Sequence, residues 1–188
     1  MNNNTQDSNS PNFILKGFNS IQIGLYFIAS AYLINGCVTN FLIDDTIMMF
    51  MSIQLIEFFV ISIIFFLFLF SSFALFYSNR RNARKLNEKI WNPYSKKRFW
   101  IYLVHFIIGL SILILLYSNG LFNWLASVGL LLYGLLLITL SNFKKPFYIL
   151  ASIAFLLAIM SFIIPTYWYS SILILGASHF VYGVVVKK

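Results

Sequence analysis

From Phe58 to Tyr77 the chain carries no charged residue, no proline and no glycine. About 20 apolar residues at 1.5 Å rise per residue match the ~30 Å hydrocarbon core of a bilayer. The stretch is apolar on every side, so as a helix it has no face to offer to water. Five more runs of this kind are separated by short polar punctuation. The sequence therefore predicts an all-α integral membrane protein, a bundle of about six transmembrane helices. The spans are expected at roughly 18–38, 58–77, 99–118, 123–141, 147–164 and 170–186. Composition agrees: 60% of residues are hydrophobic and 10% charged, where a soluble domain has about half and a quarter.

The basic residues order the spans. Lys16 precedes the first. Arg80, Arg81, Arg84, Lys85, Lys89, Lys96, Lys97 and Arg98 crowd the segment 79–98, which is expected to be a basic loop. Lys144 and Lys145 divide the fourth span from the fifth, and Lys187 and Lys188 end the chain. These are all 13 Lys and Arg residues, and six spans put every one on the same side. Asp44 and Asp45 fall on the other. The positive-inside rule then makes both termini cytoplasmic, as expected of a multi-pass protein of a plasma membrane of the bacterial inner-membrane kind. Trp124, Tyr167, Trp168 and Tyr169 suit an outer aromatic belt, and Trp91, Tyr94 and Trp100 an inner one. The net charge of +8 points to anionic lipid headgroups, met by Arg80, Arg81, Arg84, Lys85, Lys96, Lys97 and Arg98. No nucleic-acid partner is expected, because nothing aromatic and Gly-rich of the RNA-binding kind accompanies the basic segment.

Residues 1–16 are polar, rich in Asn and without a basic n-region beside an apolar stretch, and are expected to form a disordered tail rather than a signal peptide. Residues 17–188 form one transmembrane domain. The lone Cys37 cannot form an intrachain disulfide. Glu57 is expected at the outer interface, since the residues after it already span the core.

Small residues predict where helices meet. Ser20, Gly24, Ala31 and Asn35 make a small, polar stripe on the first span. Ala151, Ala154, Ala158 and Ser161 make a narrow seam on the fifth. Such faces admit a neighbouring helix at short range and gain dispersion contacts that lipid cannot match.

Candidate chemistry centres on a short match. His105-Phe-Ile-Ile-Gly109 and His179-Phe-Val-Tyr-Gly183 both read H-F-x-x-G, and they hold both histidines of the chain. His and Gly at i and i+4 share a helix face, where the Gly admits a neighbour. An imidazole facing lipid would leave its nitrogens unpartnered, so both are expected to point inward and to approach each other. The bland reading makes them interhelical hydrogen-bonding groups. The sharper readings make His105, His179 and Tyr182 a ligand or proton site, or the histidines ligands of a haem or another metal. The match also suits a three-plus-three inverted repeat. A competing likeness, of Tyr133-Gly134 before Lys144-Lys145 to Tyr182-Gly183 before Lys187-Lys188, suggests parallel hairpins instead.

The chain has no G-x-S-x-G, H-E-x-x-H, Walker A or Cys-x-x-Cys motif, and no catalytic residue or resident cofactor is expected. The leading functional expectation is a non-enzymatic transporter component, or a membrane subunit acting through partners or as a homo-oligomer. Alternatives are an oligomeric pore-forming or membrane-perturbing effector, and a haem- or metal-binding membrane protein.

Overall fold

The computed structural model describes residues 17–43, 53–85, 93–141 and 145–185. These residues form six α-helices: α1 (Phe18–Ile43), α2 (Ile53–Lys85), α3 (Pro93–Ser118), α4 (Phe122–Ser141), α5 (Lys145–Ile163) and α6 (Trp168–Val185). A 3₁₀ turn, Pro165–Tyr167, leads into α6. Five segments are long and apolar enough to cross a membrane: Phe18–Thr39, Phe58–Tyr77, Ser95–Ser118, Phe122–Leu140 and Pro165–Val185. Tyr148–Ile163 of α5 is a shorter apolar helix. The tail 1–16, Asp44, Asp45, Lys89, Trp91, Lys144, Lys187 and Lys188 lie outside the described residues, as does the side chain of Glu57.

The helices run further than the sequence suggests. The basic segment 79–98 is helical at both ends: α2 carries Arg80 to Lys85, and α3 already contains Lys96 to Arg98. The physical reason is local. Arg, Ala and Lys are good helix formers, and cations favour a helix C-terminus. Pro93 opens α3 at the position where its missing N–H costs nothing. At 33 residues, α2 is about 50 Å long, longer than the ~30 Å hydrocarbon core of a bilayer.

Asn119-Gly120, a dipeptide type that favours turns, joins α3 to α4. Gly120 has φ 71°, a left-handed conformation that glycine adopts without penalty. Its N–H reaches the carbonyl of Tyr117 at 2.9 Å, and the N–H of Leu121 reaches that of Leu116 at 3.0 Å. These two bonds are a Schellman cap, which satisfies carbonyls orphaned at the end of α3.

Around the bundle the helices follow the order α2, α1, α6, α5, α4, α3. The ring closes where Tyr102 of α3 meets Ser72 of α2 and Phe106 packs edge-on against Phe68. The tightest seam joins α1 and α6, which run antiparallel. Gly24 faces Gly176, and a Cβ built on Gly24 would stand 2.6 Å from the Gly176 carbonyl oxygen. One turn pair further on, a Cβ on Gly183 would stand 2.7 Å from the carbonyl oxygen of Gly17. Backbone thus lies against backbone, and Ser20 and Ala31 of the expected stripe are fully buried beside it. Ala151, Ala154, Ala158 and Ser161 of α5 are buried as well, toward α4 and α6. On the outside, Phe66, Phe73, Ile107, Leu115, Leu156 and Val181 are exposed, an apolar surface suited to lipid.

Candidate functional site

His179 is fully buried on α6, and its environment is polar only at its two nitrogens. Ser20 of α1 donates its hydroxyl hydrogen to the His179 carbonyl at 2.9 Å. Its oxygen also lies 3.2 Å from His179 Nδ1. A carbonyl only accepts and a serine has one hydrogen, so in a neutral imidazole Nδ1 is the donor to Ser20. Nε2 is then the acceptor, and the Tyr133 hydroxyl of α4, at 2.7 Å, donates to it. Phe27 of α1 closes the site. Its ring lies nearly parallel to the imidazole at 5.9 Å and edge-on to Tyr133 at 5.1 Å. Three helices are thereby joined through one imidazole.

A second polar link lies across the bundle. Ser72 donates to the carbonyl of Phe68 in its own helix at 2.7 Å, so its oxygen is left to accept from the Tyr102 hydroxyl at 2.5 Å. His105 bonds within α3: its Nδ1 donates to the Ile101 carbonyl at 3.0 Å. Its ring is only half-buried.

Between these links the bundle is hollow. A cavity of about 390 Å³ is lined by Phe27 and Ile34 of α1, Ile64 of α2, Leu113 of α3, Ala126 and Tyr133 of α4, Trp168 of α6, and their apolar neighbours. A second cavity of about 170 Å³ adjoins it and contains Tyr102 and His105 in its wall. Phe68, Leu110, Leu113, Gly129 and Tyr133 line both. Among the described residues, no Asp, Glu, Lys or Arg lines either.

Two glycines keep this space open. A Cβ on Gly129 would approach only the Leu113 side chain, at 3.9 Å, and one on Gly109 only that of Leu132, at 3.8 Å. Neither glycine serves close helix contact. Each costs a helix roughly 0.5–1 kcal/mol relative to alanine, and what it leaves is volume.

The two H-F-x-x-G segments therefore differ. Gly183 seats α6 against α1, whereas Gly109 faces a cavity, so the expectation that both glycines admit a helix is corrected for Gly109. The hydrogen bonds of His179 lead to Ser20 and Tyr133, and the one described for His105 leads to Ile101. Each histidine thus stands against the smaller cavity or its wall residue Tyr133, and no hydrogen bond joins them. Tyr182 is buried on α6, and its hydroxyl has no hydrogen-bond partner. Among the described residues no group of three or more His, Cys, Asp or Glu converges. A haem or metal on His179 Nε2 would have to displace Tyr133.

Of the basic residues, Arg80, Arg81, Lys96 and Lys97 are exposed. Arg98 is instead buried, one turn from the buried Ser95 on the inward face of α3, and presents little surface to a headgroup. The side chains of Arg84 and Lys85 lie outside the described residues.

Sequence reasoning missed Tyr133 and Ser20 as partners of His179. Their types gave a signal, since a phenol at mid-span and a hydroxyl on a small-residue face need partners in hydrocarbon. Which helices adjoin is a tertiary fact that no local pattern carries. No protein-family model, no curated protein and no solved structure matches this chain.

Proposed function

We propose that this chain is a six-span membrane protein, with both termini cytoplasmic, that holds an apolar ligand between its helices and works without catalysing a reaction. It would serve as a transporter component or as a membrane subunit beside other proteins. The observation that carries this reading is the cavity of about 390 Å³ among α1–α4 and the start of α6. Its size falls in the range of small-molecule sites, ~300–1,000 Å³. Its wall is hydrophobic and aromatic, with a few polar groups at fixed places. An apolar, concave space of this kind between helices is where small-molecule sites are commonly found. Among the described residues the walls supply no carboxylate, no thiol and no converging metal ligands, and binding is the chemistry these residues favour.

The sixth crossing would fall to α5, whose apolar part Tyr148–Ile163 is shorter than the other five spans and reaches about 24 Å. The one-sided distribution of the basic residues supports the orientation.

Native mass spectrometry of the protein released from lipid tests the ligand reading. The wild type is expected to retain a bound lipid or other apolar molecule. Ala126→Trp, which fills the cavity from α4, is expected to lose it while keeping its fold. Identical adduct patterns in both would overturn the proposal.

A further inference from the structure

The hydrogens of the polar side chains around the smaller cavity are all committed elsewhere. Tyr102 gives its hydrogen to Ser72, because the hydrogen of Ser72 is held by the Phe68 carbonyl. Tyr133 gives its hydrogen to His179 Nε2, because Nδ1 is the donor toward Ser20. His105 gives its Nδ1 hydrogen to Ile101, which leaves Nε2 as an acceptor in a neutral ring. The remaining wall is apolar side chain and helix backbone, whose N–H groups are used within the helices. The three groups that can still bond a guest, the oxygens of Tyr102 and Tyr133 and Nε2 of His105, are acceptors. A guest that itself only accepts would set lone pair against lone pair, and its desolvated oxygen would go unpaid. That disfavours ketones, quinones, esters, carboxylates and phosphates. An ammonium donates, but among the described residues no carboxylate lines the site to balance a charge taken out of water. A neutral hydroxyl gives its one hydrogen to one of these acceptors without that cost.

We propose that the ligand is a long-chain alcohol, its hydroxyl among Tyr102, His105 and Tyr133 in the smaller cavity and its chain in the larger one. This rests on the apolar-ligand reading above and adds the chemical class of the head. The two cavities share Tyr133 and Gly129 in their walls, so head and chain occupy adjoining space. The ordered donation, from Tyr133 to His179 and from His179 to Ser20, holds the phenol oxygen as an acceptor from outside the site.

The test is displacement of labelled 1-hexadecanol from the full chain in lipid nanodiscs by unlabelled 1-hexadecanol, hexadecyl methyl ether, palmitate and hexadecane. The alcohol is expected to bind roughly tenfold more tightly than the ether, the worth of one or two net hydrogen bonds. Hexadecane should bind at least as tightly as the ether, whose oxygen finds no donor in the wall. In Tyr102→Phe, and separately in His105→Phe, the preference for alcohol over ether should shrink while ether binding persists, which shows that the cavity still folds. Equal affinity for alcohol and ether, or tighter binding of palmitate, would overturn the head assignment and leave the cavity reading intact. Failure of every probe to bind, hexadecane included, would overturn both.

Discussion

Tyr133 and His179 stand 2.7 Å apart, on α4 and α6, which otherwise touch little. Their hydrogen bond fastens one wall of the cavities to the rigid α1–α6 pair. Removing the phenol oxygen leaves Nε2 of a fully buried imidazole without a partner, at a cost of about 1–3 kcal/mol. Tyr133→Phe is therefore expected to lower stability by that amount. His179→Phe should cost a similar amount, since it leaves the Tyr133 hydroxyl without its acceptor, while Ser20 keeps its bond to the carbonyl of residue 179. The double variant should cost less than the sum, because two apolar rings can pack where two polar groups met. A double-mutant cycle on melting in detergent measures this coupling; strict additivity would mean that the bond contributes nothing.

The α1–α6 seam tolerates no side chain at Gly24 or Gly176. A methyl on Gly24 meets backbone at 2.6 Å, and backbone cannot yield as a flexible side chain does. Gly24→Ala is expected to destabilise by about 1–3 kcal/mol or more through overpacking. Gly36→Ala is the control in the same helix, because nothing lies within 4 Å of a Cβ there. It should be neutral or slightly stabilising, since alanine is the better helix former. Equal melting of the two variants would contradict the seam.

Leu placed on the buried face of α5, at Ala154 or Ala158, should also cost about 1–3 kcal/mol. Ile159→Leu on the exposed face of the same helix should be nearly silent. The comparison is read from thermal melting, and silent Ala154→Leu would remove α5 from the core.

The orientation predicts where reporter fusions read. Those after Lys16, Lys89, Lys145 and Lys188 should report cytoplasm, and those near Asp45, Gly120 and Thr166 the opposite side. A cytoplasmic reading at Gly120 would break the six-span plan.

Much of this fold is legible in the sequence because hydrocarbon leaves the backbone few options. Each span must close its own hydrogen bonds, so apolar length marks a helix. Small residues on one face marked the α1 stripe and the α5 seam. What the sequence does not carry is which stripe meets which. Gly109 and Gly183 sit in the same five-residue pattern, yet one faces a hollow and the other a helix. That difference depends on the neighbours of α3 and α6, which come from distant parts of the chain. Tyr133 was likewise legible as a phenol at mid-span, but its partner lies 46 residues away in sequence. Hollows are the least legible feature, because a cavity is defined by side chains that fail to meet.

Photo-crosslinking with a lipid carrying a diazirine on its acyl chain, followed by peptide mapping, tests most directly whether an apolar chain enters the bundle. Labels are expected on the cavity walls, at Ile64, Leu113, Leu130 and Ile172, as well as on the outer surface. Gly129→Leu should suppress the inner set alone. Labelling confined to outward-facing residues such as Ile107, Leu115, Ile149 and Leu156, unchanged by Gly129→Leu, would contradict the account.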